Sequence, residues 1–409
     1  MLAGWLLLSR LLLCSGVDEW HCPNSAALLA SPGVPGGEQK HWSRFASETL
    51  ATTRQLPEKV FHIKNFSQLR FRFPKSTRGE HYLEWQTIVQ SLNGTDLLPE
   101  PFYLPFVKPG KLCDLEISTP LFVYRGFSPE AFQFGHILHD VLPMIVWVAT
   151  RYPGVQIAIL RDVKGTLESF LQWLDADLAQ MVTLVPSGAA VCAMNDVLMM
   201  IPGEEVLRPE QLRIPALMTS LRGFVFQRKQ LQQVDKVIYY QRIRGATSHG
   251  RLFSEADSMQ LVNLARGALR AQNKSDQIVV FNGTQNGVPM TFEEQYRLFS
   301  SAYLAFGPHG TGLSNVLWMQ ATDCLSRPAV IEFMCSLDTS KMRGCFVQVG
   351  KRKLPRPMTY WRLHGGAPWV RYFIVWLLRH KEDAHLVRVD LPGFEMALAQ
   401  ALQPGDDMI

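Results

Sequence analysis

The sequence predicts an α/β protein built of two Rossmann-like domains, each a parallel sheet with helices on both faces, facing a cleft. Three observations predict it. Short apolar runs of buried-strand type recur along the chain, among them VQIAIL (Val155–Leu160), KVIYY (Lys236–Tyr240), QIVVF (Gln277–Phe281) and AVIEF (Ala329–Phe333). Runs apolar on both faces are typical of parallel strands. Stretches of helical length separate them, and strand–helix–strand alternation implies crossover connections. A polar, proline-containing break at Gly203–Pro209 divides the series and reads as a hinge.

In the first block the expected order is strand (Leu121–Tyr124), helix (Pro129–Arg151, with Pro143 as a kink), strand (Val155–Leu160), helix (Thr166–Leu174) and strands at Met181–Val185 and Asp196–Ile201. The second block opens with the Lys236–Tyr240 strand. A helix follows over Glu255–Ala271, with Ser254 as N-cap. After the Gln277–Phe281 strand comes a helix over Thr291–Ser300, where Thr291 and Glu294 have the spacing of a capping box. Strand Ala302–Phe306, helix Gly312–Met319 and strand Ala329–Phe333 complete the series. Trp369–His380 is aromatic and apolar but too short to cross a bilayer, and Phe394–Leu402 is helical. The expected partition is a signal peptide or short anchor (1–16), a stem (17–59), an N-terminal domain (60–204), a C-terminal domain (205–350) and C-terminal helices packing back on the first domain (351–409).

Composition excludes several classes. The 409 residues are 47% hydrophobic and 19% charged, so the chain is neither disordered nor wholly membrane-embedded. A net charge of +5, without clustering, does not describe a nucleic-acid protein. Leu2–Leu13 is an apolar run of signal-peptide length, followed by small residues that place a cleavage site after Gly16. N-x-S/T sequons begin at Asn65, Asn93, Asn273 and Asn282, more than chance predicts. Beyond Gly16 lie Cys22, Cys113, Cys192, Cys324, Cys335 and Cys345, with no zinc spacing. One bridge among the last three is the favoured pairing. Together these features predict export to the secretory pathway, with the lumen of the ER or Golgi as the expected compartment.

Four constellations carry chemistry. FGPHGTGLSN (Phe306–Asn315) ends a strand, turns on glycines and begins a helix. Glycines let backbone N–H groups approach a ligand, and a helix start favours a phosphate. His309, Gly310, Thr311, Gly312, Leu313 and Asn315 are the candidates there, with a core role for His309 as the bland alternative. Arg242, Arg244 and Arg251 follow a strand end, where arginines can clamp a diphosphate or simply meet solvent. In FGHILHD, His136 and Asp140 share a helix face, as a general base and its orienting carboxylate would; organising a domain interface is the alternative. Glu294, Gln295 and Glu332 could accept hydrogen bonds from sugar or ribose hydroxyls, although Glu294 also serves the capping box. No metal site is expected.

Taken in order, these residues resemble glycosyltransferase family 61. The resemblance rests on Gly135-His136 with Asp140, Tyr239 with Arg242 and Arg251, Phe292-Glu293-Glu294-Gln295, Gly307–Asn315 and Val330-Ile331-Glu332. It spans roughly Phe122–Phe333, with Thr311 where alanine is usual and an insertion at Ala321–Arg327. It implies a GT-B architecture, inversion at the anomeric carbon and a nucleotide sugar held by the C-terminal domain. It also implies a lumenal enzyme, transferring GlcNAc or xylose from a UDP-sugar to a glycan or glycoprotein. No cofactor is expected to be obligatory, and the sequence leaves divalent-metal dependence open. His136 or Asp140 would be the base. The competing expectation is a non-catalytic lumenal glycan-binding or scaffold protein of the same fold. A glycoside hydrolase would need two facing carboxylates, and no such pair stands out.

Overall fold

The computed structural model describes residues 113–123, 134–162, 165–186, 188–202, 215–242, 251–321, 326–336, 339, 346–349, 352–355, 369–380, 383 and 385–403, with strands at 26–27, 61–72 and 88–91. At some of these positions, His136 and Asp140 included, only the backbone is described. The leader, the Gly203–Pro209 hinge, Arg244, Asn93, Cys22, Cys324 and Cys345 lie outside the described residues.

In chain order the strands are β1 (Ala26–Ala27), β2 (Phe61–Arg72), β3 (Ile88–Ser91), β4 (Leu115–Ile117), β5 (Leu121–Val123), β6 (Gln156–Leu160), β7 (Val182–Val185), β8 (Ala190–Pro202), β9 (Lys236–Tyr240), β10 (Ile278–Phe281), β11 (Thr284–Gln285), β12 (Val288–Pro289), β13 (Ala302–Pro308), β14 (Ala329–Cys335), β15 (Phe346–Val349), β16 (Arg352–Pro355), β17 (Arg371–Arg379) and β18 (Val387–Val389). Helix α1 runs through three segments: α-helical Phe134–His136, π-helical Ile137–Val141 and α-helical Leu142–Arg151. The others are α2 (Thr166–Leu174), α3 (Ala176–Gln180), α4 (Pro215–Phe226), α5 (Glu255–Ala271), α6 (Phe292–Ser300), a 3-10 helix at Thr311–Trp318 and α7 (Leu391–Leu402).

Two seven-stranded sheets result. The first has the order β3-β2-β8-β5-β6-β7, with β4 beside β8. Its β4–β8 pairings are parallel, but β2 and β3 run antiparallel, so it is mixed rather than purely parallel. Strand β8 starts six residues before the expected Asp196, because its first half pairs with β4 (Leu115↔Val191) and its second with β5 (Leu121↔Val197). A disulfide, Cys113–Cys192, fastens the β4 end to β8. Cys335 is also disulfide-bonded, to a partner outside the described residues.

The second sheet has the order β1-β17-β14-β13-β9-β10, with β18 antiparallel to β17 and the rest parallel. Counting β9, β10, β13, β14 and β17 as first to fifth gives 2-1-3-4-5, a doubly wound order whose direction reverses between β9 and β13. Its two faces are covered differently. Tyr239 stacks on Phe306 (centroids 5.1 Å apart) and its hydroxyl meets Ser258 of α5, while Phe394 of α7 packs on Phe306 and Phe333. On the other face, Phe281 meets Phe299 of α6 edge-on at 5.0 Å.

Local signals explain most boundaries. The Ser254 side chain accepts from Asp257 N, capping α5. Thr291 and Glu294 form the capping box on α6. Pro143 does not break α1; it widens it. A proline ring clashes with the carbonyl four residues earlier, here that of His139, and cannot donate to it. The π-helical turn over Ile137–Val141 just upstream gives that carbonyl room.

One expectation needs correction. Residues 371–379 form a strand, not a helix, and lie inside the second sheet, beside β14. With α7, which packs on β14, β17 and α5, they complete that sheet rather than folding back on the first. A nine-residue run buried along most of its length carries no periodicity that separates strand from helix. Within the expected stem or lead-in, Ala26–Ala27 pairs with β17. The helix expected after the glycine turn is present, as a 3-10 helix over Thr311–Trp318.

The two sheets meet through aromatic residues. Phe170 of α2 stacks on Phe292 of α6 at 3.7 Å, and Phe134 lies against both. Trp173 packs on Tyr296 and Trp318 and donates to Glu293 at 2.7 Å. Aromatic pairs of this kind add attraction beyond the area they bury.

Candidate active site

Sheet register assembles the site. The carboxyl ends of β9 and β13 flank the point where strand order reverses, the position at which open α/β sheets bind ligands. In β13 and β14, Gly307 pairs with Glu332; in β14 and β17, Val330 pairs with Tyr372. Side chains alternate along strands. Glu332 and Tyr372 therefore lie diagonally on one face, and His309, two residues past Gly307, extends the same row. His309 Nδ1 is 2.6 Å from Glu332 Oε1, and the Tyr372 hydroxyl donates to Glu332 Oε2. Glu332 is fully buried, and His309 and Tyr372 nearly so. Burial, then the charge of Glu332 and the bond to it, hold the Tyr372 hydroxyl well above the ordinary tyrosine pKa. It stays a donor. With Glu332 ionised, Nδ1–H donates to it, which fixes the ring and leaves Nε2 as the opposite edge.

The glycines have a steric task as well. A Cβ on Gly312 would sit 2.4 Å from Tyr240 Cε2, and one on Gly310 would sit 2.7 Å from the Tyr240 hydroxyl oxygen. A Cβ on Gly307 would lie 2.4 Å from Tyr240 O. The turn thus wraps the last residue of β9, which is itself buried. Arg242, two residues on, donates from Nη1 to His309 O at 2.9 Å, so its guanidinium is fixed against the turn.

Arg251 is buried at the other side of the same edge. Its neighbour Leu252 bridges Leu386, and Phe253 meets Phe333 at 6.0 Å, which places this segment at the carboxyl end of β14. The two arginines so flank the carboxyl edge of the second sheet.

Behind the turn, Asn315 Nδ2 donates to Gln295 Oε1 (2.9 Å) and Gly312 O (3.1 Å), while Gln295 Nε2 donates to Met290 O. Gln295 and Asn315 hold the turn to α6 in this structure. Glu294 is exposed and accepts from Thr291 N and Oγ1 through Oε2. Those bonds hold its carboxyl below the usual range. Leu313 is buried and Thr311 half-buried on the 3-10 helix.

The GHILHD motif reaches the same place. The Phe134–His136 segment of α1 packs against the 3-10 helix. His139, which is buried, approaches Ser314 O with Nε2 at 3.2 Å. The π-helical turn alters the angular offset between His136 and Asp140 expected of a regular helix. The sequons are dispersed: Asn65 is on β2, Asn273 is exposed with φ 53°, and Asn282 Oδ1 accepts from Thr284 N and Oγ1.

Three participants escaped the sequence reading. Tyr240 had a faint signal, as the aromatic end of a strand facing a turn with three glycines. Tyr372 had none, because only register puts it beside Glu332. Arg222 stood as a lone cation among the apolar residues of α4. It is buried, donates to Leu317 O (2.9 Å) and Met319 O (2.7 Å), and lies over the rings of Phe226 and Trp369. It ties the end of the 3-10 helix to α4. Burial pulls its pKa down to about 9, which leaves it charged at neutral pH.

Comparison with known proteins gives one family match. Residues 134–325 match the family model described as Glycosyltransferase 61, a span from the start of α1 past the glycine turn. No curated protein matches the chain. Among solved structures, the rubredoxin oxygen:oxidoreductase (ROO) of the anaerobe Desulfovibrio gigas aligns with 66% of this chain and 51% of its own, at 10% identity and a TM-score of 0.23. The chain covers about half the length of that structure, and a likeness so distant bears on neither fold nor function.

Proposed function

We propose, from the match of residues 134–325 to the glycosyltransferase family 61 model, that the chain is an inverting glycosyltransferase of the secretory pathway. It transfers a sugar, GlcNAc or xylose, from a UDP-sugar to a glycan or glycoprotein acceptor. One observation carries the reading beyond the family. At the strand-order reversal of the second sheet, Arg242 is fixed against a turn that presents His309, and the His136 segment packs on the helix that follows.

In this reading the departing diphosphate lies at the carboxyl edge between Arg242 and Arg251. The guanidinium groups and the His309–Gly312 turn stabilise the charge that develops as the glycosidic bond breaks. Fixed donors aimed at such charge are worth more in a water-poor site than in water. Gln295 and Asn315 act by shaping the turn, and Glu332 by orienting His309. An acceptor hydroxyl attacks from the side of α1, and His136 or Asp140 removes its proton. The meeting of the two sheets at the α1/3-10 contact supports a GT-B-like arrangement with the donor on the second sheet. The Cys113–Cys192 disulfide supports an oxidising lumenal compartment.

The test is nucleotide release by the purified chain against a panel of nucleotide sugars, with and without EDTA. The proposal expects release from UDP-GlcNAc or UDP-xylose, with at least a hundred-fold loss in His136→Ala or Asp140→Ala, the range for a lost general base. No release from any donor would overturn the catalytic reading. Near-normal turnover in both variants would overturn the assignment of the base.

A further inference from the structure

We infer that Tyr372, outside the matched family segment, is a positioning residue of the nucleotide site, acting through Glu332 to fix the His309 ring. The inference rests on the proposed nucleotide site and adds to it a residue on β17.

The geometry carries it. On one face of the sheet, Glu332 of β14 lies between Tyr372, its diagonal neighbour on β17, and His309, just past the end of β13. Both Glu332 oxygens are used, Oε1 by His309 Nδ1 and Oε2 by the Tyr372 hydroxyl. A fully buried carboxylate is costly unless its oxygens are matched by donors. With the tyrosine bond in place the carboxylate has one defined rotamer, and His309 has one defined ring plane. Without it, Oε2 loses a buried donor, and the hold on the carboxylate that orients His309 weakens. The Tyr372 hydroxyl also lies 3.6 Å from Met334 Sδ, too weak an acceptor to compete with a carboxylate. Metal-binding histidines are held in the same fashion, by a carboxylate on the far ring nitrogen, and lose function when that outer partner is removed.

The experiment is a binding cycle on the full chain, using UDP with GDP as a second probe. Tyr372→Phe keeps the ring and removes only the hydroxyl. The expected result is a five- to ten-fold rise in Kd for Tyr372→Phe in the otherwise unaltered chain, and little or no further rise when it is added to His309→Ala. Equal weakening in both backgrounds, or none in either, overturns the positioning role. If the unaltered chain binds neither nucleotide, the site reading itself fails and this inference falls with it. If Tyr372→Phe melts below the assay temperature, the same cycle is run below its melting point, and the same outcomes decide.

Discussion

Adding one methyl group at Gly312 should jam the turn against Tyr240. The new Cβ would lie 2.4 Å from Tyr240 Cε2 and 3.0 Å from both Cδ2 and Cζ. Ordinary contact begins at 3.4 Å, so the ring or the turn must retreat by 3.4 − 2.4 = 1.0 Å. Neither moves freely. The ring is buried, and Gln295 and Asn315 hold the turn from behind. Overpacking of this kind costs roughly 1–3 kcal/mol, and an overlap this deep belongs at the upper end. About 3 kcal/mol is more than a hundred-fold in the folded-to-unfolded ratio. Denaturant unfolding of Gly312→Ala measures the loss. Tyr240→Ala in the same background should recover part of it, because the methyl group then enters the space the ring has left. Gly267→Ala is the control. That glycine sits within α5 with open space around its Cβ position, and the change should stabilise by up to ~1 kcal/mol. If Gly312→Ala is as stable as the unaltered chain, or if its effect simply adds to that of Tyr240→Ala, the glycines are not there to seat Tyr240.

Other predictions follow from the contacts around the site. Arg222→Met should destabilise by roughly 3 kcal/mol, since two buried carbonyls lose a charged donor; Arg222→Lys should fall between, keeping charge without the planar fork, and thermal melts rank the three proteins. Burial raises the Glu293 carboxyl, but the bonds from Trp173 and Arg297 and the charges of Arg297 and Lys229 outweigh it, so its pKa lies below the usual 4.5. The stability it contributes is therefore complete above about pH 4.5 and is lost as the pH falls through the lower, folded value. Glu293→Gln should flatten that part of an acid-unfolding curve. Replacing Cys113 and Cys192 together by serine should cost about 4.5 kcal/mol by the loop-entropy argument, the two being 79 residues apart. Unfolding of the double variant, compared with the oxidised chain, reads this directly.

Much of the second sheet was legible, because each of its elements carries a local signal. KVIYY and QIVVF are bounded by polar turns, Ser254 and Thr291 mark helix starts, and Gly307–Gly312 marks a turn. What escaped depends on partners distant in the chain. Strand β17 reads as an unbroken apolar run whichever element it forms, and only pairing with β14 decides. The antiparallel β2 is visible as a partner only once β8 is known to be thirteen residues long. At the site, the sequence placed Arg242, His309 and Glu332 at strand ends. It read the glycines as room for a ligand, whereas the structure shows that they also make room for Tyr240. Glu332 looked like an acceptor for substrate hydroxyls, and its burial between His309 and Tyr372 could not be read without register.

The place of β17 also sets a timetable. It lies between β1 and β14, so the second sheet holds one of the earliest described segments of the chain and one of the last. A polypeptide still being synthesised can form β9, β10, β13 and β14 and bring Arg242 to the glycine turn. Until Arg371–Arg379 has emerged, β14 has an open edge and Glu332 lacks the hydroxyl of Tyr372. Open edges invite pairing with other chains. The nascent protein therefore passes through a stage with its glycine turn assembled and its sheet unsealed. A chaperone would have most to protect during the interval between residues 335 and 379.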